Sequence, residues 1–302
     1  MTLNENANVD TTQVRDVGSS GGGGRGGLGG LPIPLPSGGG GWVGLVVLLL
    51  LVVGGAIGGN SLLDGGSGGG TETPVECGKD VPNRFDKVEC RNAAYINSIQ
   101  DYWQDNLQTT LGTPYEMADT ILFDQAVSTG CGSADSGVGP FYCPQDDLIY
   151  IDVSFWNELA NRFGADGRFA EAYVLAHEYG HHVQDIVGTE AEVRRQMERD
   201  PSNQNALSVR LELQADCYAG VWAKNAKDTD DAQGVPLFTS ITQDDINQAL
   251  EAAAAVGDDA IQKKMGGGVD ESQFTHGSSA DRQKWFTTGF NSGNPRSCNT
   301  FA

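Results

Sequence analysis

Positive charge is scarce in this chain. Nineteen Lys and Arg stand against 40 Asp and Glu, a formal net charge of −21. So acidic a surface repels phosphate backbones, which excludes nucleic acid as an expected partner; it favours solubility but says nothing specific about fold. Histidine is scarcer still, with four residues, His177, His181, His182 and His276. None of the six cysteines forms a C-x-x-C pair, so neither a zinc ribbon nor a thioredoxin-like site is indicated. Residues 1–70 lack both histidine and cysteine, hold 23 of the 42 glycines and carry almost no periodic apolar pattern.

What the leader does contain divides the chain. Residues 18–41 are dominated by Gly, 13 of 24, with Ser, Leu and a Leu-Pro-Ile-Pro-Leu-Pro run at 31–36. Such a composition cannot bury enough apolar surface to offset its ordering entropy, so residues 1–41 are expected to form a disordered tail. Then comes an uncharged run from Trp42 to Gly58. With its flanking glycines it is just long enough to cross ~30 Å of hydrocarbon as a helix, with Trp42 at the interface. The expected organisation is therefore a single transmembrane helix at 42–59, a linker at 60–75 and one domain at 76–302, long enough to bury a sizeable core. A cleaved signal peptide would need a short basic leader, which is missing.

Flanking charge hardly sets the orientation, since Arg25 stands on one side of the run and Lys79 on the other. The cysteines set it instead. Cys77, Cys90, Cys131, Cys143, Cys217 and Cys298 all follow the apolar run and are even in number. Three disulfides in an oxidising compartment is the simplest account, which places the domain outside the cytoplasm of a single-pass membrane protein. The pairing adopted is Cys77–Cys90, Cys131–Cys143 and Cys217–Cys298.

Within the domain, Tyr95, Ile99, Tyr102 and Trp103 recur at helical spacing through residues 91–109. Residues 120–123 and 148–152 read as strands, separated by a Gly- and Ser-rich loop that a Cys131–Cys143 bridge would staple. Ser154 suits the N-cap of a short helix through Asn161. Strong helices are expected at 168–187, ended by Gly188, at about 206–226, and at about 243–256. A helix, then strands, then several helices is an α+β order rather than alternating βαβ.

The first strong helix carries His177-Glu178-Tyr179-Gly180-His181. Histidines at i and i+4 share one helical face, about 6 Å apart along the axis. Their ring nitrogens can converge on one zinc ion at ~2.0–2.1 Å. Glu178, one residue further round, borders the open coordination position, where it can act as general base on a water acidified by the metal. A catalytic zinc takes a third protein ligand. Asp185 lies two turns beyond His177, about 12 Å along the axis, too far to serve. A metzincin would have Gly at 184 and His at 187, where this chain has Gln184 and Val187. The helix at 206–226 offers Glu212 and Asp216, again at i and i+4, in an otherwise apolar run where unpaired charge is expensive. Glu212 is expected as the third ligand. Asp216 is expected to accept the other N–H of a zinc-bound histidine, fixing its tautomer. His276, with Arg282 nearby in sequence, is the candidate donor to an oxyanion, and His182 points away from the zinc face.

The runs at 177–184 (HEYGHHVQ), 213–223 (LQADCYAGVWA), 274–282 (FTHGSSADR) and 139–144 (GPFYCP) resemble a bacterial family of neutral zinc metallopeptidases. The likeness covers roughly residues 71–302, and the layout of tail, membrane helix and extracytoplasmic domain is similar in kind. The resemblance implies a zincin-like fold with a small mixed sheet, an active-site helix and a Glu-type third ligand, which agrees with Glu212.

Two functions follow. One is an endopeptidase holding one Zn2+ per chain and acting on a peptide or protein substrate, with residues 148–152 serving as an edge strand to align it. The other is a non-catalytic, zinc-stabilised cell-surface binding module, for which a general base at Glu178 would have no use.

Overall fold

The computed structural model describes residues 1–18 and 75–302. The tail beyond residue 18, the apolar run at 42–59 and nearly all of the linker lie outside these residues. Among the described residues no helix is long and apolar enough to cross a membrane.

The first long helix, α1 (Val88–Thr110), buries Ile96, Ile99, Trp103 and Leu107 along one stripe, the spacing that a helix packed on a core requires. The strands β3 (Thr120–Phe123) and β7 (Leu148–Asp152) fall where the sequence places them. All four residues of β3 are buried, as expected of a central strand covered on both faces. These two pair in parallel, and β6 (Phe141–Cys143) joins β7 antiparallel. A short helix, α2 (Phe155–Glu158), continues into a π-helical turn, Leu159–Phe163. Ser154 occupies the N-cap position of α2, although its side chain makes no capping bond.

The helical half comprises α3 (Arg168–Ile186), α4 (Thr189–Arg199), α5 (Gln204–Asn225), α6 (Gln243–Ala255), α7 (Asp258–Lys264) and α8 (Ser279–Ser292). Gly188, in the left-handed conformation at φ +78°, separates α3 from α4. α5 is the central helix, packed between α3 and α8. Two contacts fix the rotation of α3. The Tyr179 hydroxyl lies 2.9 Å from Thr120 Oγ1 on β3, and His182 donates from Nε2 to the carbonyl of Glu116 at 2.7 Å. With those side chains turned to the sheet, His177 and His181 face α5. All three expected disulfides are present: Cys77–Cys90, Cys131–Cys143 and Cys217–Cys298. The second anchors the turn of a small hairpin, β4 (Ala126–Thr129) and β5 (Gly132–Asp135), to strand β6. The third ties α5 to the C-terminal segment.

Two expectations need correction. Residues 148–152 are not an edge strand. With β2 (Val14–Asp16) included, the sheet order is β2-β3-β7-β6, so β7 is interior and the three-residue β6 forms an edge. Nor are residues 1–18 part of a disordered tail. Strand β1 (Thr2–Leu3) pairs with β8 (Phe238–Ser240), and β2 (Val14–Asp16) runs parallel to β3 at the far edge of the sheet. Side chains from elsewhere lock this arm in place. Buried Arg84 donates to the carbonyls of Asn4, Glu5 and Ala7. Asn97 exchanges two hydrogen bonds with the backbone of Asp10, and Gln100 donates to Gln13. Backbone pairing and buried amides outweigh the low apolar content from which disorder was expected.

Candidate metal centre

The crossing of α3 over α5 builds the site. Gly180 lies at the contact: a Cβ there would stand 3.0 Å from both Cα and O of Ala215 and 3.2 Å from its Cβ. The absent side chain lets the two backbones approach and brings the i, i+4 pair of α3 onto the i, i+4 pair of α5. Gly180→Val is therefore expected to wedge the helices apart, costing ~1–3 kcal/mol of stability. Zinc affinity, read by titration against a competing chelator, is expected to fall at least about tenfold, since a comparable loss follows even when outer contacts of a metal site are disturbed. Unchanged affinity would mean that this close approach does not set the site.

His177, His181 and Glu212 each offer one ligand atom, all within 4.8 Å of one another. His177 Nε2 is 3.1 Å from Glu212 Oε2 and 3.2 Å from His181 Nε2, and His181 Nε2 is 3.4 Å from Glu212 Oε1. Four-coordinate zinc with bonds of ~2.0–2.1 Å spaces its ligand atoms about 3.3–3.4 Å apart. The donor set fits that ion in number, type and spacing.

The far side of each imidazole is committed. His177 Nδ1 lies 2.9 Å from Asp216 Oδ1. A carboxylate can only accept, so Nδ1 carries a proton and Nε2 is the ring nitrogen that faces Glu212. His181 Nδ1 lies 2.9 Å from Gln184 Oε1. The orientation of that amide is set by its nitrogen, which donates to the carbonyl of Leu211 and to Gln214. His181 thus also presents Nε2 inward. Both tautomers are those a metal ligand needs.

Asp216 is fully buried and collects four donors: His177, the Tyr173 hydroxyl, and Nε and Nη2 of Arg282 at 2.8 and 3.0 Å. Burial alone would raise its pKa, but Arg282 and His177 outweigh burial and hold the carboxyl below the usual range. Glu212 is likewise pushed up by burial and brought well below its ordinary value by the two imidazoles. Arg282, considered beside His276 on sequence proximity, instead holds Asp216.

Glu178 and the metal-facing triad line one cleft together with His276. Burial pushes the Glu178 carboxyl above its usual range, and His177 and His181 pull it back only in part. His276 reaches the cleft from the loop before α8. Its Nδ1 lies 3.2 Å from Asp258 Oδ1, while Asp258 Oδ2 accepts the backbone N–H groups of Thr275, His276 and Gly277 at 2.7–2.9 Å. His182 is buried away from the cleft, between Glu116 and Tyr142. Asp185, excluded as a ligand by distance, accepts from the Tyr142 hydroxyl at 2.9 Å. Sequence reasoning missed Gln184, Tyr173 and Asp258. The first two lie on α3, at i+3 from His181 and i−4 from His177, and helical spacing alone could have found them.

The profile of the family described as "Putative neutral zinc metallopeptidase" matches residues 3–301. This chain belongs to that family. Curated relatives include uncharacterized proteins of Mycobacterium tuberculosis and Mycobacterium bovis, each 46% identical over 222 residues, covering 73% of this chain and 72% of theirs. Another, from Escherichia coli K12, is 42% identical over 221 residues and 73% of each chain. No solved structure matches. The family profile starts in β1 and runs past the Cys217–Cys298 disulfide, so the N-terminal arm and the candidate metal centre fall within one match.

Proposed function

We propose that the protein is a zinc-dependent peptidase, with one ion held by His177, His181 and Glu212 and with Glu178 as general base. The observation that carries this reading is the convergence of two imidazole Nε2 atoms and one carboxylate at 3.1–3.4 Å, with their outer sides hydrogen-bonded and Glu178 in the same cleft. Zinc bound there would supply Lewis-acid polarisation and bring the pKa of a water down to about 7. The rest of the chemistry belongs to the protein. Asp216 and Gln184 hold the two imidazoles in their ligating tautomers. Glu178 takes a proton from the attacking water and returns it to the departing amine. His276, oriented by Asp258, carries a proton toward the oxygen of the reacting carbonyl. The outer edge of β6, at the cleft wall, offers backbone groups to an extended substrate; a substrate-analogue complex with its peptide lying elsewhere would sink that part.

The three disulfides support a domain that works in an oxidising compartment. Metal analysis tests the site. After loading with zinc, the protein is expected to retain one ion per chain through dialysis, and Glu212→Ala to lose most of it. Absence of retained metal in the unmodified protein would remove the peptidase reading and favour a binding module.

A further inference from the structure

The cleft lining draws on several elements. Met197 of α4 and Leu211 of α5 contribute to it, with the ion pair Glu190–Arg194. A second group of lining residues is apolar throughout. Val174 lies one turn before Glu178 on α3 and so on the same face. Phe155 and Phe163 come from α2 and the π-helical turn, and Val256 and Ile261 from the end of α6 and from α7. A π-helical turn is rare and recurs at functional sites, because its wider backbone re-aims a side chain. Here Phe163 is its last residue, and Lys264 of α7 clamps it, with Nζ 4.7 Å from the ring centroid and donating to the carbonyl of Arg162. Phe155, Phe163 and Val174 belong to the hydrophobic core, and Val256 and Ile261 pack against it, so these five lining side chains are held in place rather than loose on the surface.

Charge on the cleft wall narrows the choice of ligand. Its carboxylates are Glu178, Glu190, Glu212 and Asp258; its permanent cations are Arg194 and Arg282. Arg282 is spent on Asp216, and Arg194 pairs with Glu190. Neither offers a dedicated clamp for the terminal carboxylate of a peptide, and an acidic side chain would meet carboxylates. A large apolar side chain would meet matching surface and gain from its removal from water.

Resting on the peptidase reading above, we propose that the pocket formed by Phe155, Phe163, Val174, Val256 and Ile261 selects a large apolar side chain next to the bond that is cut. The enzyme then acts within chains, beside residues such as Phe, Leu or Met. Val256 and Ile261 are the accessible determinants, since both are only partly buried.

The test uses the zinc-loaded full chain and internally quenched peptides that differ at single positions on either side of one cleavable bond. At one of these positions kcat/KM is expected to be about tenfold or more higher for Phe or Leu than for Ala, and higher again than for Asp. Ile261→Lys is expected to reverse the order, favouring Asp over Phe. Val256→Phe fills the pocket without adding charge and is expected to shift preference toward Ala. Melting curves and zinc content show that each variant is folded and loaded. Equal rates across the series, or a preference that neither variant moves, would overturn the pocket while leaving the peptidase reading intact. If no peptide in the series is hydrolysed by the zinc-loaded protein, both readings fall together.

Discussion

Glu178→Gln is expected to keep one zinc per chain and to lower kcat on a cleaved peptide roughly 10²–10⁴-fold, the usual contribution of a positioned acid–base group. The substitution is near-isosteric, and it replaces a side chain that is 8% exposed without adding a cavity. Only the ability to accept a proton is removed. The proposed ligands His177, His181 and Glu212 are untouched, as are Asp216 and Gln184 behind the imidazoles, so metal content and melting temperature should not move. That separation is what makes the experiment decisive. Hydrolysis within tenfold of the unmodified protein would show that another group takes the proton. Loss of zinc together with activity would give Glu178 a structural part in holding the site. Glu178→Ala is the weaker choice, because the space it opens beside the imidazoles admits water that can carry the proton instead.

The features of this centre that are legible in the sequence are those whose partners lie one helical turn apart. His177 and His181 declare a shared face, and Glu212 with Asp216 does the same inside the apolar run from Leu211 to Val221. Once two helices each present a matched pair, their convergence is the economical guess, and the 3.1–3.4 Å separations agree with it. The relation of Arg282 to Asp216 is invisible by comparison, because it depends on how α8 crosses α5, 66 residues away in sequence. His276 and Arg282 are close in the chain yet turn to different partners, Asp258 and Asp216. Sequence proximity misleads there because the two residues stand on opposite sides of the start of α8.

The fold divides on the same line. β3 and β7 are readable because each is a short, largely apolar run with three β-branched or aromatic residues, covered on both faces. β6 has three residues, embedded in a Gly-, Ser- and Pro-rich stretch, and its strand character comes from pairing with β7. Without it, residues 148–152 look like an edge. α4 is charged on most faces and buries only Val193 and Met197, too sparse a stripe to register as a periodic signal. The N-terminal arm is the extreme case: β1 has two residues and β2 three. Their order comes from Arg84, Asn97 and Gln100, polar residues whose purpose no local pattern discloses.

Those three side chains make the arm the second place where a large effect is expected. Removing residues 1–18 should unfold the domain or lower its melting temperature by more than 10 °C or so. Arg84, 1% exposed, would lose its acceptors at Asn4, Glu5 and Ala7 and keep only the carbonyl of Cys77. Asn97 and Gln100 would lose Asp10 and Gln13. A buried polar group stranded in this way costs about 1–3 kcal/mol. Three of them therefore approach the ~5–15 kcal/mol that holds a typical domain together. The newly opened edge of β3 adds to the loss. An arm supplied as a separate peptide should restore part of the stability, since its contacts are side chains and strand edges that need no covalent continuity. A deletion variant that melts with the full chain would show that residues 1–18 do not hold the domain together. The same contacts bear on sidedness. β2 can pair with β3 only if residues 1–18 and 75–302 share one compartment, whereas a single crossing by residues 42–59 would part them. A tag at each terminus, probed in intact cells with a membrane-impermeant reagent, should accordingly be reached together or not at all. Labelling of one terminus alone would mean that in the membrane the arm leaves the domain, and that Arg84, Asn97 and Gln100 find other partners.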